Sequence, residues 1–175
     1  MFPSTMKRAK ITAIILLASV LYSCGEYQKV IKSDDYNYKY IKAVAYYEDE
    51  DFNRAMPLFN ELSTVLRGTE KMEEVSYYFA YCHYSVGDNL MAAYLFKNFT
   101  RSYPVSKHAE ECAYMSAYCY YLETPNFSLD ATNNYKAIKE LQAFVNKFPA
   151  SEKIEKCNEL LDELRAILSK KAFEN

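Results

Sequence analysis

The amino-acid sequence predicts an all-α chain in which antiparallel helix pairs stack as an α-solenoid, about three pairs followed by a last helix. Three observations carry that expectation. The first is repetition at an offset of 37 residues: Ala43-Val44-Ala45-Tyr46-Tyr47, then Ala80-Tyr81-Cys82-His83-Tyr84, then Ala117-Tyr118-Cys119-Tyr120-Tyr121. The same offset pairs Asp51 with Asp88, Ala55 with Ala92, Phe59 with Phe96 and Leu62 with Phe99. The second is that apolar and aromatic residues recur at steps of three and four, with no sustained alternation of the strand type. The third is a total of three glycines in 175 residues, which leaves long stretches free to be helical. One helix pair cannot bury its own apolar face, so units repeating at this length must stack.

The chain opens with Lys7, Arg8 and Lys10, then an uncharged, mostly apolar run from Ile11 to Leu21, then Tyr22-Ser23-Cys24-Gly25. That is the layout of an export signal. The run is 11 residues long, against about 20 for a helix that spans a bilayer. A cleaved signal over residues 1–23 is therefore expected. Removing it takes away three positive charges and no acidic one, which moves the formal net charge from −2 to −5 over the remaining 152 residues. That size suits one domain with a real core, and that charge argues against nucleic acid as a partner. Residues 24–35 are expected to be a polar tether running into Asp35, a residue suited to cap a helix.

The repeat domain is expected over residues 36–175. Its units fall at 36–66, 70–103 and 106–148, with a last helix from Glu152 to Lys171. Asp49-Glu50-Asp51 and Gly87-Asp88 make the turns inside the first two units. Pro104 and Pro149 end second helices, because proline has no amide to donate. Pro57 is the exception, about one turn into its helix, where a kink is expected. Thr69 and Ser106 are candidate caps for the helices that follow them. The third unit runs at an offset of 45, Ala92 to Ala137 and Phe96 to Leu141, and the eight extra residues fall in the loop Glu123–Asp130.

Chemistry-bearing residues are few. Cys112 and Cys119 are seven residues apart, about 10 Å along one helix and too far to bridge. Together with Cys82 and Cys157 they are expected to be small, buried helix residues, since no spacing is that of a CxxC pair. His83 takes the position of Tyr46 and Tyr120 and is expected to pack; His108 is expected in solvent at the start of its helix. The run Glu48-Asp49-Glu50-Asp51 lacks the alternating ligands and central glycine of a calcium loop and fits a solvated capping turn. No HExxH, nucleophile elbow or glycine-rich phosphate loop appears. Neither an enzyme, a metal site nor a cofactor is expected.

The units resemble the tetratricopeptide repeat. Ala43, Ala80 and Ala117 match its small position in the first helix, and Ala55, Ala92 and Ala137 match its alanine in the second. That resemblance implies a concave groove lined by three rows: Tyr40, Tyr77 and Tyr114; Val44, Tyr81 and Tyr118; Tyr47, Tyr84 and Tyr121. Within a helix the rows are four and three residues apart and share a face. The seven tyrosines Tyr40, Tyr77, Tyr81, Tyr84, Tyr114, Tyr118 and Tyr121 are the candidate peptide-binding groove, since a rigid ring ending in a hydroxyl suits peptide. Tyr81 and Tyr118 are expected to be exposed, whereas the Tyr47, Tyr84 and Tyr121 row can equally fill space between units.

Leu21-Tyr22-Ser23-Cys24 resembles the bacterial lipobox, with Tyr22 departing from the usual small residue. That implies acylation of Cys24 and attachment to a membrane by lipid. Lipobox, tyrosine-rich repeats, the junctions from Phe99 to Ser106 and Phe144 to Ser151, the inserted loop, Ala137–Phe144 and the ending Lys171-Ala172-Phe173-Glu174 together resemble the BamD family. The family consists of lipoproteins of the outer-membrane β-barrel assembly machinery. It implies a non-enzymatic scaffold on the periplasmic face of the outer membrane whose partners are BamA and unfolded outer-membrane proteins. Family members usually carry five repeats, and Ala172-Phe173-Glu174-Asn175 has no capping signal. A chain cut short, with the BamA-docking half largely missing, is the expectation. The competing expectation is another envelope repeat lipoprotein, for cell-division coordination or glycan uptake.

Overall fold

The computed structural model describes residues 25–124 and 131–174, with side chains through Lys170. The expected signal, Cys24, most of the inserted loop and the side chains of the chain's ending lie outside the described residues. All regular structure among the described residues is helical. A helical segment at 25–31, α1, precedes α2 (Tyr36–Glu48), α3 (Phe52–Val65), α4 (Lys71–Ser85), α5 (Asn89–Ser102), α6 (Ala109–Leu122), α7 (Thr132–Lys147) and α8 (Ile154–Glu174). From α2 onward each helix packs chiefly against its neighbours in sequence. The pairs α2/α3, α4/α5 and α6/α7 with α8 stacked behind them make a tetratricopeptide-like solenoid.

The turns inside the first two units are the same turn. Asp51 N donates to Tyr46 O (2.8 Å) and Glu50 N to Tyr47 O (3.0 Å), and Asp88 and Gly87 repeat both bonds to His83 O (2.9 Å) and Tyr84 O (3.0 Å). This is the Schellman ending, whose penultimate residue must adopt a left-handed backbone. Gly87 does so at φ 82° and Glu50 at φ 59°. Glycine suits that conformation and glutamate does not. Glu50→Gly is therefore expected to stabilise the fold by about 0.5–1 kcal/mol. A Cβ on Gly87 would meet nothing within 4 Å, so Gly87→Ala isolates the backbone effect and should shift the thermal midpoint the other way. Midpoints that move together would sink the argument.

Asp35 caps α2 as expected, its carboxylate accepting from Asn37 N and Tyr38 N at 3.0 Å each. Thr69 does not cap α4: its hydroxyl turns back to donate to Leu66 O at 2.7 Å. Ser106 does serve the start of α6, accepting from His108 N (3.0 Å) while donating to Glu73 (2.6 Å). Ser151 repeats both contacts before α8, with Lys153 N (3.2 Å) and Glu110 (2.6 Å). Each serine thus ties the start of one unit to the first helix of the unit before. Pro57 sits inside α3 without ending it.

Small residues let the helices approach: Ala43, Ala55, Ala80, Ala92, Ala117 and Ala137 are all fully buried. Phe59, Phe96 and Leu141 recur at the same register, as do Leu62, Phe99 and Phe144, and all six are buried. Cys82, Cys112, Cys119 and Cys157 are buried free thiols. Burial pushes the first three up to about 12 and raises Cys157 as well. On α8, Cys157, Leu160, Leu161 and Leu164 face inward, while Glu155, Lys156, Glu159, Asp162, Glu163 and Arg165 are exposed.

Among the described residues one buried side chain has no partner. Asn134 on α7 has neither its amide nor its carbonyl bonded. Its register equivalent, Asn89, donates to Glu123 Oε1 at 3.0 Å. The position equivalent to Glu123 one unit on is Leu168, which accepts nothing. An unmet buried amide costs about 1–3 kcal/mol, so Asn134→Leu should stabilise by about 1–2 kcal/mol. A lowered urea midpoint would count against that account.

The expected tether is also different. Residues 25–31 are helical, and Val30 is fully buried in the first core cluster. Tyr27 packs edge-on to Tyr46 (5.6 Å), lies under the Arg54 guanidinium (5.6 Å) and donates its hydroxyl to Arg54 O (3.3 Å). Glu26 pairs with Lys42 at 2.7 Å. The segment is polar by composition because only its two inward residues, three apart, need to be apolar.

Candidate functional site: a tyrosine-lined trough

The first helix of each unit, α2, α4 and α6, carries the three rows at four and three residue steps. All seven candidate tyrosines are half-buried. Their surroundings divide them into two sets.

Two members of the first row, Tyr40 and Tyr77, are braced. Tyr40 donates to Glu74 and Tyr77 to Glu111 (3.2 Å), each carboxylate coming from the next unit's first helix. The ring faces are also occupied: Lys71 Nζ lies 5.1 Å from the Tyr40 ring, the His108 ring 4.2 Å from Tyr77, and Lys153 Nζ 4.8 Å from Tyr114. Lys71, His108 and Lys153 are register equivalents at offsets of 37 and 45. His108 is therefore stacked between units, with Nδ1 3.7 Å from Glu111, and not free in solvent. Tyr40 and Tyr77 keep their places because the following unit grips each by face and hydroxyl together; Tyr114 is held by its face alone.

Tyr81 belongs to the braced set. Its hydroxyl donates to Glu111 at 2.5 Å, and its ring meets Phe96 edge-on at 4.9 Å and Tyr77 at 4.8 Å. Glu111 thus receives two phenols, one on each oxygen. Burial, then the neighbouring carboxylate, raises the Tyr40, Tyr77 and Tyr81 phenols far above their usual range. Tyr121 is tied similarly, donating to Glu163 on α8 at 2.8 Å, and burial lifts it to about 12. Tyr47 packs between Phe52 (5.6 Å) and Tyr78 (4.9 Å). It fills space between units.

Tyr84, Tyr114 and Tyr118 differ. Their hydroxyls have no hydrogen-bond partner among the described residues and are not sealed from solvent. Tyr114, Tyr118 and Tyr121 form a ladder of near-parallel rings on successive turns of α6, with centroids 5.8 and 6.0 Å apart. Tyr84 approaches from the second unit, close enough that Tyr118 helps to raise its phenol, after burial. The tyrosines with open hydroxyls therefore lie between the second and third units.

His83 packs edge-on to Phe79 (4.8 Å), with Nδ1 2.9 Å from Asp88 in the turn. No group of three or more His, Cys, Asp or Glu side chains that could hold a metal ion occurs among the described residues. One feature the sequence does not announce is a pocket of about 280 Å3 between α3, α4 and α5, walled by Met72, Phe79, Leu95, Phe99 and Tyr103. In the first unit the buried Lys39 pairs with Glu61 at 2.6 Å. The register equivalents Ser76 and Asn98 are shorter, which leaves the space. The glutamates of the braces were findable in sequence, since Glu74 and Glu111 stand 37 apart.

No described helix is long and apolar enough to cross a membrane. The profile of the YfiO family, outer membrane lipoproteins, matches residues 32–174. No curated protein matches the chain.

Proposed function

Because the chain belongs to the YfiO family of outer membrane lipoproteins, we propose that it is a non-enzymatic scaffold held by an acylated Cys24 at the periplasmic face of the outer membrane. Its trough binds unfolded segments of outer-membrane proteins and serves the BamA-centred insertion machinery. The observation that carries this reading is the open set Tyr84, Tyr114 and Tyr118, whose hydroxyls are unpaired among the described residues, beside rings whose hydroxyls the next unit already holds. Unpaired phenols match the free backbone groups of an unfolded chain, and the rings match its apolar side chains. A helical ligand has already spent its backbone bonds internally.

The test is capture of an outer-membrane barrel precursor by the acylated mature protein. Tyr84→Ala with Tyr118→Ala is expected to weaken it at least thirtyfold, roughly the loss for one hot-spot ring. Tyr81→Phe should leave capture nearly intact and lower stability instead, because it breaks a brace. Unchanged affinity in a folded Tyr84/Tyr118 variant would defeat the trough reading. Recovery of division or glycan-uptake proteins in place of BamA from solubilised outer membranes would defeat the assembly role.

A further inference from the structure

The helical segment α1 leaves no slack between the acylation site and the solenoid. Cys24 is followed at once by Gly25, the first described residue, which is already in α1, and one residue of chain spans about 3.8 Å. The segment is fastened on its inner side by Val30, by Tyr27 against Tyr46 and Arg54, and by the Glu26–Lys42 pair. Its other side consists of Gln28, Lys29 and Lys32, all exposed, with Ile31 on the flank at 37 % exposure. Among the described residues no ion pair engages Lys29 or Lys32; of the nearby carboxylates Glu26 pairs with Lys42, Asp35 caps α2 and Asp34 is exposed.

We propose that α1 is a docking platform: its Gln28–Lys29–Lys32 face lies on the anionic phospholipid headgroups of the leaflet that holds the anchor, with Ile31 at the interface. This rests on the reading of Cys24 as the acylated residue. Next to the acylated residue the chain presents two exposed lysines that no ion pair engages. Each lysine at an anionic surface favours contact about fivefold, and an apolar flank next to a basic face is the pattern of interfacial segments. Since α1 is bolted to α2 and α3, seating it fixes the direction in which the solenoid leaves the membrane. A flexible tether would leave that direction free.

The experiment uses the acylated protein carrying Gln28→Cys, labelled there with a fluorophore; the four native thiols are buried and stay unlabelled. It is placed in phosphatidylcholine vesicles with and without phosphatidylglycerol, and quenching by aqueous iodide is measured. Phosphatidylglycerol should reduce quenching at residue 28 about threefold to fivefold. Lys29→Glu with Lys32→Glu should restore it while the protein still floats with the vesicles. Quenching that ignores both the lipid charge and the lysines overturns the platform and leaves the anchor standing. Protein that does not float overturns the anchor reading and the platform with it.

Discussion

Raising the solution from about pH 8 to about pH 11 is expected to unfold the protein cooperatively, through its thiols. Burial raises Cys82, Cys112 and Cys119 from 9.0 to about 12, and Cys157 moves in the same direction. Above pH 9 the unfolded chain loses these protons and the folded chain keeps them. The unfolded state then binds fewer protons, so stability falls as pH rises, and the loss continues until the folded values are reached near 12. A shift of one unit is worth about 1.4 kcal/mol, so three thiols displaced together remove stability on the order of that of an ordinary domain, about 5–15 kcal/mol. Tyr47 and Tyr121, lifted from 10.0 to about 12, add to the loss from pH 10 upward. Helical circular dichroism followed against pH should collapse within this window. Replacing the four cysteines by alanine should move the midpoint to higher pH even though it lowers stability at neutrality. A midpoint indifferent to the cysteines would refute the account.

Phe96→Ala is expected to cost about 3–5 kcal/mol and to divide the unfolding transition in two. Phe96 is fully buried among Ala80, Ala92, Cys112, Met115 and Cys119, side chains of both the second and third units, and it supports the Tyr81 ring. In a stack whose units touch only their neighbours, stability is close to a sum of units and interfaces. A cavity in the middle interface therefore uncouples α6–α8 from α2–α5. Hydrogen exchange should show the amides of α6–α8 losing protection separately. A single transition at lower urea, with exchange uniformly faster, would contradict the uncoupling while leaving the cost intact.

Much of this architecture is legible in the sequence because repetition does the work of an alignment. The offset of 37 aligns Ala43 with Ala80 and Phe59 with Phe96, and the helix bounds follow from it to within a few residues. What escapes is whatever the repeats do not share. The segment 25–31 is too short to display a helical period, and its burial depends on Tyr46 and Arg54, residues from other elements. The first-row ring partners escape because His108 stands where the other units have Lys71 and Lys153, although all three hold equivalent rings. Asn134 is an orphan only because Leu168 stands where another unit has Glu123. The groove tyrosines could be named from spacing, but spacing could not show that Glu111 takes two of their hydroxyls. That contact places Tyr81 with the braces and leaves Tyr118 open.

The buried cysteines also impose a schedule. On the proposed localisation the chain enters an oxidising compartment, where a thiol is at risk of mispairing while it is exposed, and the cysteines here lie on faces of α4, α6 and α8 that close only as units dock. Contacts in this fold run chiefly between helices adjacent in sequence, and folds of that kind close quickly. Hiding the thiols is thus a race between helix docking and oxidase encounter. The short loops between docking helices are what shorten the course.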